Sequence, residues 1–346
     1  MTTGDEDLWP PREPLVGAWL LIVCAFVAAM ILVGGATRLT DSGLSITEWD
    51  LGKGLMPPLT EARWAEEFAL YQQTMEYQVQ NNGMSLEEFR DIYWWEWGHR
   101  FLGKVLGIVF ALPALFFLLT GRLRGRFRLT ALLFALGALQ GAIGWWMVTS
   151  GLFDRLDVSP LRLAIHLGMA LIILALAFWA ALGAFAWPRA RQGVAPAWTA
   201  LLLALLFAQA MFGALLAGSD GGAAYADWPL IGGAWVPASA LELEPWWRNF
   251  TENHATQHLA HRSLGYCVAA LALFLGGLAA LRGAGASRWA GVVLGLVAVA
   301  QAALGVHTVL TGTTLVAALA HQAGAVILWL CAVAHLRAAG NSLPLR

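Results

Sequence analysis

Residues 163–187 read LAIHLGMALIILALAFWAALGAFAW, a stretch without a single aspartate, glutamate, lysine or arginine. About 20 apolar residues in a helix cross a hydrocarbon core of roughly 30 Å, so this run is long enough to span a bilayer. Its one ionisable side chain, His166, lies near its start. The run therefore predicts a membrane-spanning helix that carries a histidine.

Seven further apolar runs of similar length make this an unusual composition. Hydrophobic residues make up 59% of the chain and charged residues 12%, against about 45–50% and 25% in ordinary soluble domains. Lys104 is the one formal charge inside the eight runs, which are 17–37, 101–121, 129–149, 163–187, 197–217, 263–281, 289–310 and 314–336. We predict an all-α integral membrane protein with eight transmembrane helices. The runs are not separated by alternating strand patterns, which excludes nucleotide-binding α/β folds, and no basic block suggests nucleic acid.

The distribution of charge predicts the orientation. Arginines crowd the short connection 122–128, whereas the long segments 38–100 and 218–262 are acidic. Short Arg-rich connections stay in the cytoplasm, so we expect both termini inside and the two long loops outside. The acidic residues 5–7 are atypical of a mitochondrial transit peptide and favour a bacterial inner-membrane protein. The three cysteines lie inside predicted spans, which argues against a loop disulfide or a cysteine-based metal site.

The chain repeats itself. HRFLG at 99–103 returns as HRSLG at 261–265, and QGAIG at 140–144 returns as QAALG at 301–305. Because four helices separate the copies, the two halves enter the membrane in the same direction. We predict two pseudo-symmetric four-helix bundles, an N-terminal half at 1–187 and a C-terminal half at 188–346.

Four histidines, His99, His166, His261 and His321, fall near the outer ends of four helices that all run inward. An imidazole in the membrane is costly unless it is paired, which makes it a candidate functional residue. One histidine from each of two helices in a four-helix bundle can clamp a haem iron, so we predict one haem site per half: His99 with His166, and His261 with His321. A single histidine of this kind would more often stabilise helix packing, bonded to a backbone carbonyl, than bind an iron. Zinc or copper at His258 and His261 is the weaker metal alternative, because no third ligand has fitting spacing.

The halves differ three residues before the first histidine of each pair. Glu96 precedes His99, whereas His258 precedes His261. A carboxylate on the face of the helix that carries the ligand can relay a proton, so we hypothesise that the first half is the reaction site and that Glu96 is catalytic. The alternative is that Glu96 only reaches to the membrane interface.

Arginines also lie at outer helix ends, against the positive-inside trend. Arg38, Arg100 and Arg262 are candidates to pair with haem propionates, as is Arg162, because a guanidinium suits a carboxylate. Interfacial anchoring is an equally good reading of each one alone.

The chain resembles the haem A synthase family of the respiratory system over nearly its whole length. The resemblance rests on GGATRLT at 34–40, SGLS at 42–45, WWEWGHR at 94–100 and QGAIGWWMV at 140–148, together with the segments around His261–Arg262 and His321. Some members carry a cysteine pair in an outer loop, and the loops of this chain have none, so no thiol step is carried over. The long first loop and the WPL segment at 228–230 resemble the proteobacterial and mitochondrial branch.

The resemblance implies haem b bound in the second half by His261 and His321, and a substrate site for haem O in the first half at His99 and His166. It also implies that a ring methyl of haem O is oxidised to a formyl group by successive hydroxylation, with Glu96 assisting, to give the haem A of cytochrome c oxidase. An unidentified electron donor, membrane lipid, haem O synthase, oxidase assembly factors and a second copy of the chain are expected partners. Two rival readings are a di-haem cytochrome b-type electron carrier and a haem transporter or chaperone.

Overall fold

The computed structural model describes residues 12–48, 56–152, 155–187 and 196–339. Their regular structure is helical, apart from one isolated bridge between Ile231 and Ala234. The α-helices are α1 (Pro14–Leu39), α2 (Glu61–Tyr71), α3 (Met75–Val79), α4 (Leu86–Leu119), α5 (Phe127–Thr149), α6 (Pro160–Ala184), α7 (Pro196–Gly218), α8 (Asn249–Glu252), α9 (His254–Arg282), α10 (Gly285–Leu310) and α11 (Leu315–Ala338).

Eight of these helices are long and apolar enough to cross a membrane, namely α1, α4 to α7 and α9 to α11. The predicted all-α membrane fold with eight spans is thereby confirmed. The predicted domain boundary at 187/188 adjoins residues 188–195, which lie outside the described residues. The two chain termini lie outside them as well.

Two helices extend further outward than their predicted spans. α4 begins at Leu86 behind a capping box of Ser85 and Glu88 and continues without a break into the span predicted at 101–121. α9 likewise begins at His254, with the Asn253 side chain accepting a hydrogen bond from the Thr256 amide. The first turns of both helices are more polar than the apolar runs that follow them.

The long helices form two groups of four. α1, α4, α5 and α6 contact one another in a ring, as do α7, α9, α10 and α11. The groups meet along α1, α6, α7 and α11. Polar side chains join them there: Gln322 Nε2 donates to Ile31 O at 2.8 Å and Trp329 Nε1 donates to Leu171 O at 3.0 Å.

The first outer loop folds back on α4. Trp64 and Tyr71 of α2 pack with Phe89 and Tyr93 of α4 in a buried aromatic cluster. This part of the loop contains two short helices, α2 and α3. The cluster fixes the loop on the first turns of α4, before His99.

Candidate functional site

Each of the four predicted histidines lies against a glycine of a neighbouring helix. Close approach requires glycine, because a Cβ atom there would fall about 3 Å from the imidazole. The pairs are His99 with Gly34 (3.0 Å), His166 with Gly144 (3.0 Å), His261 with Gly213 (3.1 Å) and His321 with Gly305 (2.9 Å). The same imidazole-on-glycine arrangement is thus built four times, twice in each group of helices.

The second histidine of each pair is held by a glutamine. Gln140 Nε2 donates to His166 O at 3.1 Å and lies 3.2 Å from His166 Nδ1. Gln301 Nε2 donates to His321 O at 2.9 Å and lies 3.1 Å from His321 Nδ1. Each glutamine contacts both the ring and the backbone carbonyl of one histidine, and so fixes the imidazole relative to its own helix.

His261 and His321 face each other across the second group of helices. Their ring centroids are 6.4 Å apart and the ring planes are nearly perpendicular, at 81°. A metal–imidazole bond is about 2 Å long, so two imidazoles on opposite sides of one iron have centroids roughly 6 Å apart. His261 Nδ1 is buried and finds no hydrogen-bond partner among the described residues. The spacing and the unpartnered nitrogen both fit a haem iron between these two side chains.

One continuous cavity of about 1520 Å³ is lined by all four histidines. A pocket for a single small ligand is typically about 300–1,000 Å³, so this volume exceeds what one such ligand fills. Glu96, Arg38, Arg100 and Arg262 line it too. The cavity therefore brings together the predicted site residues except Arg162, whose guanidinium stacks on the Trp146 ring and donates to the Trp146 carbonyl.

Glu96 is buried, with 3% of its surface exposed, and its carboxylate is fully hydrogen-bonded. Oε2 accepts from Ser45 Oγ at 2.8 Å and from the Ile46 amide at 2.7 Å, and Oε1 pairs with Arg100 Nη2 at 2.5 Å. Arg100 also donates to the carbonyls of Ile46 and Glu48. Glu96 and Arg100 together fasten the start of the first outer loop to α4.

Arg262 repeats this arrangement in the second half. It donates to the carbonyls of Tyr225, Asp227 and Leu230 and lies 3.1 Å from His258 Nδ1. His258 Nε2 lies 2.8 Å from the carbonyl oxygen of Gly221. Arg100 and Arg262 are thus both bound to loop carbonyls as well as being candidates for a propionate.

Arg38 lies among carboxylates at the outer ends of α1 and α7. It pairs with Asp41 at 2.8 Å and with Asp220 at 2.6 Å, and Asp157 is 3.4 Å away. Burial is the largest cause that raises the pKa of Asp157, to about 6, with Arg38 opposing it and Asp220 adding to it. Arg38 therefore joins the two groups of helices through Asp220.

Glu76 is a further buried acid on this cavity that the sequence did not single out. It is 2% exposed, and its Oε2 has no hydrogen-bond partner within the described segments. Burial, and then the charges of Asp157, Glu96 and Asp41, raise the pKa of Glu76 to about 9. At neutral pH the side chain is therefore protonated.

The remaining histidines have other surroundings. His254 Nε2 lies 2.9 Å from the Ser219 carbonyl oxygen, and His335 Nδ1 lies 3.0 Å from Thr199 Oγ1 near the C-terminal end of α11. Across the described ranges, no group of three or more His, Cys, Asp or Glu side chains could hold a metal ion by itself.

Three glutamines that were not among the predicted site residues contact the histidines. Gln140 and Gln301 stand at matching places in QGAIG and QAALG, so their repetition was the available signal. Gln209 Nε2 lies 3.3 Å from His261 Nε2, four residues before the Gly213 that faces the same imidazole. The matching residue four before Gly34 is Met30, so repetition could not have identified Gln209.

Residues 17–333 match the family described as cytochrome oxidase assembly protein. The chain is 48% identical over 326 residues to a protein of Maricaulis maris named heme A synthase, covering 93% of this chain and 95% of that one. Proteins with the same name from Rhodopseudomonas palustris strain TIE-1 (49% identity, 92% and 88% covered) and Allorhizobium ampelinum (45% identity, 94% and 91% covered) are similarly close.

Proposed function

This chain belongs to the family of cytochrome oxidase assembly proteins, and we infer from its relatives and its two histidine pairs that it converts haem O to haem A. It is a membrane oxidoreductase that oxidises a ring methyl group of haem O to a formyl group. The observation that carries this conclusion is the imidazole-on-glycine arrangement, built twice in each half around one cavity.

We assign haem b to the second half, where His261 and His321 would hold its iron. The 6.4 Å between ring centroids and the unpartnered Nδ1 of His261 support the assignment, and Gln301 orients His321. When bound, haem b supplies one-electron transfer. A buried imidazole in an apolar site stays neutral, which is the form that ligates iron.

Haem O is placed in the first half, where His99 and His166 line the same cavity. Glu96 is the catalytic residue in this proposal, because its carboxylate is the acidic group three residues from His99 on α4. To take a proton, Oε2 must give up the hydrogen bond from the Ser45 hydroxyl, which can rotate away. Arg100 keeps Oε1 paired while this happens.

The three arginines are proposed propionate partners. Nε of Arg38 and Nε of Arg262 are buried and have no acceptor in the part of the chain that the structure describes. Each can therefore donate one further hydrogen bond to a carboxylate. Arg100 is the third candidate, with its guanidinium between Glu96 and the first outer loop.

We place the protein in a bacterial inner membrane with both termini in the cytoplasm, with residues 1–187 as the substrate half and 188–346 as the haem b half. The arginines of 122–128 support this orientation. An electron donor, haem O synthase, oxidase assembly factors and self-association complete the proposed partners.

The test is to express the chain with a source of haem O and to identify the extracted porphyrins by mass. Haem A, or its hydroxymethyl precursor, is the expected product. Unmodified haem O and haem b alone would instead indicate an electron carrier or a haem transporter, whose two sites need no chemical difference.

A further inference from the structure

The helix pairs α4–α5 and α9–α10 are related by the repeat but pack differently. In α9–α10 the backbones touch: a Cβ atom at Gly276 would lie 3.0 Å from Gly291 O and 3.1 Å from Gly295 Cα. α9 and α10 stay in contact along much of their length, whereas α4 and α5 touch over a much shorter stretch. The first half therefore has a gap where the second half is closed.

Two substitutions between the repeats account for the gap. The register that aligns His99 with His261 puts Ala114 at the place of Gly276, and the register that aligns Gln140 with Gln301 puts Phe134 at the place of Gly295. The Phe134 ring meets Phe110 of α4, with 6.4 Å between centroids. Side chains thus stand between α4 and α5 where glycine backbones meet in the second half.

Beyond this pair of rings, towards the outer face, the gap is lined by glycines. Gly107, Gly137 and Gly141 line the cavity and are exposed, and no described atom lies within 4 Å of a Cβ built on any of them. Their counterparts in the second half are Ala269, Ala298 and Ala302. Ala298, the counterpart of Gly137, is 2% exposed, whereas Ala302, the counterpart of Gly141, is exposed. The position of Gly137 is therefore open in the first half and filled in the second.

The gap faces lipid. The two groups of helices meet along α1, α6, α7 and α11, which puts α4 and α5 on the far side of the first group. Exposed side chains on this part of α4 and α5 are apolar, among them Ile108, Leu112 and Phe134. The cavity at the histidines is therefore continuous with this apolar gap, which opens towards the bilayer.

We propose that the glycine-lined gap between α4 and α5 is the subsite for the isoprenoid chain of the substrate, which passes through it from the His99–His166 site into the lipid. This proposal rests on the proposed function, since haem O carries such a chain and haem b does not. The closed α9–α10 pair leaves no such exit, so the second site admits only a haem without the chain. The different packing of the two helix pairs thereby directs haem O to the first half and haem b to the second.

The test fills the gap. Gly137→Leu and Gly141→Leu are compared with Leu139→Phe. Leu139 is also on α5 but does not line the cavity, so this substitution is the matched control. Each full-length protein is purified with its second site loaded with haem b, whose spectrum reports correct folding, and is then titrated with haem O and with further haem b. The gap-filling variants should lose haem O binding by about tenfold or more through steric exclusion, while added haem b binds within about twofold of wild type.

Equal loss of haem O and haem b in the gap-filling variants would overturn the proposal, as would unchanged haem O binding. Leu139→Phe should bind both haems as the wild type does, and loss of haem O there too would also contradict it. The experiment distinguishes failure of this proposal from failure of the proposed function. A wild-type protein that binds haem O through this gap but yields no haem A would refute haem A synthesis alone. Undiminished haem A formation by Gly137→Leu would refute the gap alone.

Discussion

Glu96 and His258 occupy the same place in the two repeats, each four residues before an arginine that binds carbonyls of the loop preceding its helix. Glu96 accepts from Ser45 and Ile46, whereas His258 faces the Gly221 carbonyl. The first loop offers hydrogen-bond donors at this point and the second offers an acceptor. The exchange of carboxylate for imidazole therefore has a structural cause as well as the chemical one that we propose.

Replacing Glu96 by Gln separates these two causes. The glutamine keeps an oxygen for the Ser45 and Ile46 donors but cannot act as a base, so haem A formation should fall by about 100-fold. Haem b content, measured from the absorption spectrum, should stay at the wild-type level.

Ser45→Ala is the matched control, because it removes one loop hydrogen bond and leaves the carboxylate. It should reduce haem A formation by less than about tenfold. Similar losses in the two variants would mean that Glu96 acts only by holding the loop.

The two glutamines provide a second matched pair. Gln301→Leu removes the support of His321 and should weaken retention of haem b by about 10–100-fold. Gln140→Leu removes the equivalent support of His166 and should reduce product formation while haem b retention is unchanged. Loss of haem b from both variants to the same degree would contradict the assignment of different haems to the two halves.

Glu76 makes stability depend on pH. Its pKa is about 9 in the folded protein against 4.5 for the free side chain, so the folded state binds more protons between these values. Unfolding free energy should therefore fall as pH rises from 4.5 to about 9. Glu76→Gln should flatten this dependence. The measurement is the midpoint of thermal unfolding in detergent as a function of pH. A change of 1 kcal/mol in the free energy of unfolding shifts that midpoint by about 2–4 °C.

Glu87→Gln is the control for that measurement, since Glu87 is an exposed acid on α4. It should leave the pH profile of the wild type intact. A profile for Glu76→Gln that is as steep as the wild-type profile would show that Glu76 is not the buried proton acceptor.

Much of this structure could be predicted from the sequence because a membrane makes apolar length and charge position decisive. The spans and the lining of one cavity by His99, His166, His261 and His321 follow from run length and repeat spacing. Contacts between distant segments could not be predicted. The sequence does not reveal that Ser45 reaches Glu96, because a loop's path depends on tertiary packing such as that of Trp64 on α4.

The closed and open helix pairs illustrate the same limit. Glycine spacings on α4, α5 and α10 look alike in the sequence, yet Gly291 lies in a tight contact while Gly137 and Gly141 face open space. The difference depends on a neighbouring residue of the same helix, which is Phe134 on α5 and Gly295 at the matching place on α10.

The central claim is that the two histidine pairs hold different haems with different roles, and comparing His99→Ala with His261→Ala tests it most directly. Haem b and haem A are quantified in both purified variants after expression with a source of haem O. His99→Ala should retain haem b and contain no haem A, whereas His261→Ala should lose haem b. If the two variants instead lost the same haem to the same extent, the sites would be equivalent, as in a di-haem electron carrier, and the account would be contradicted.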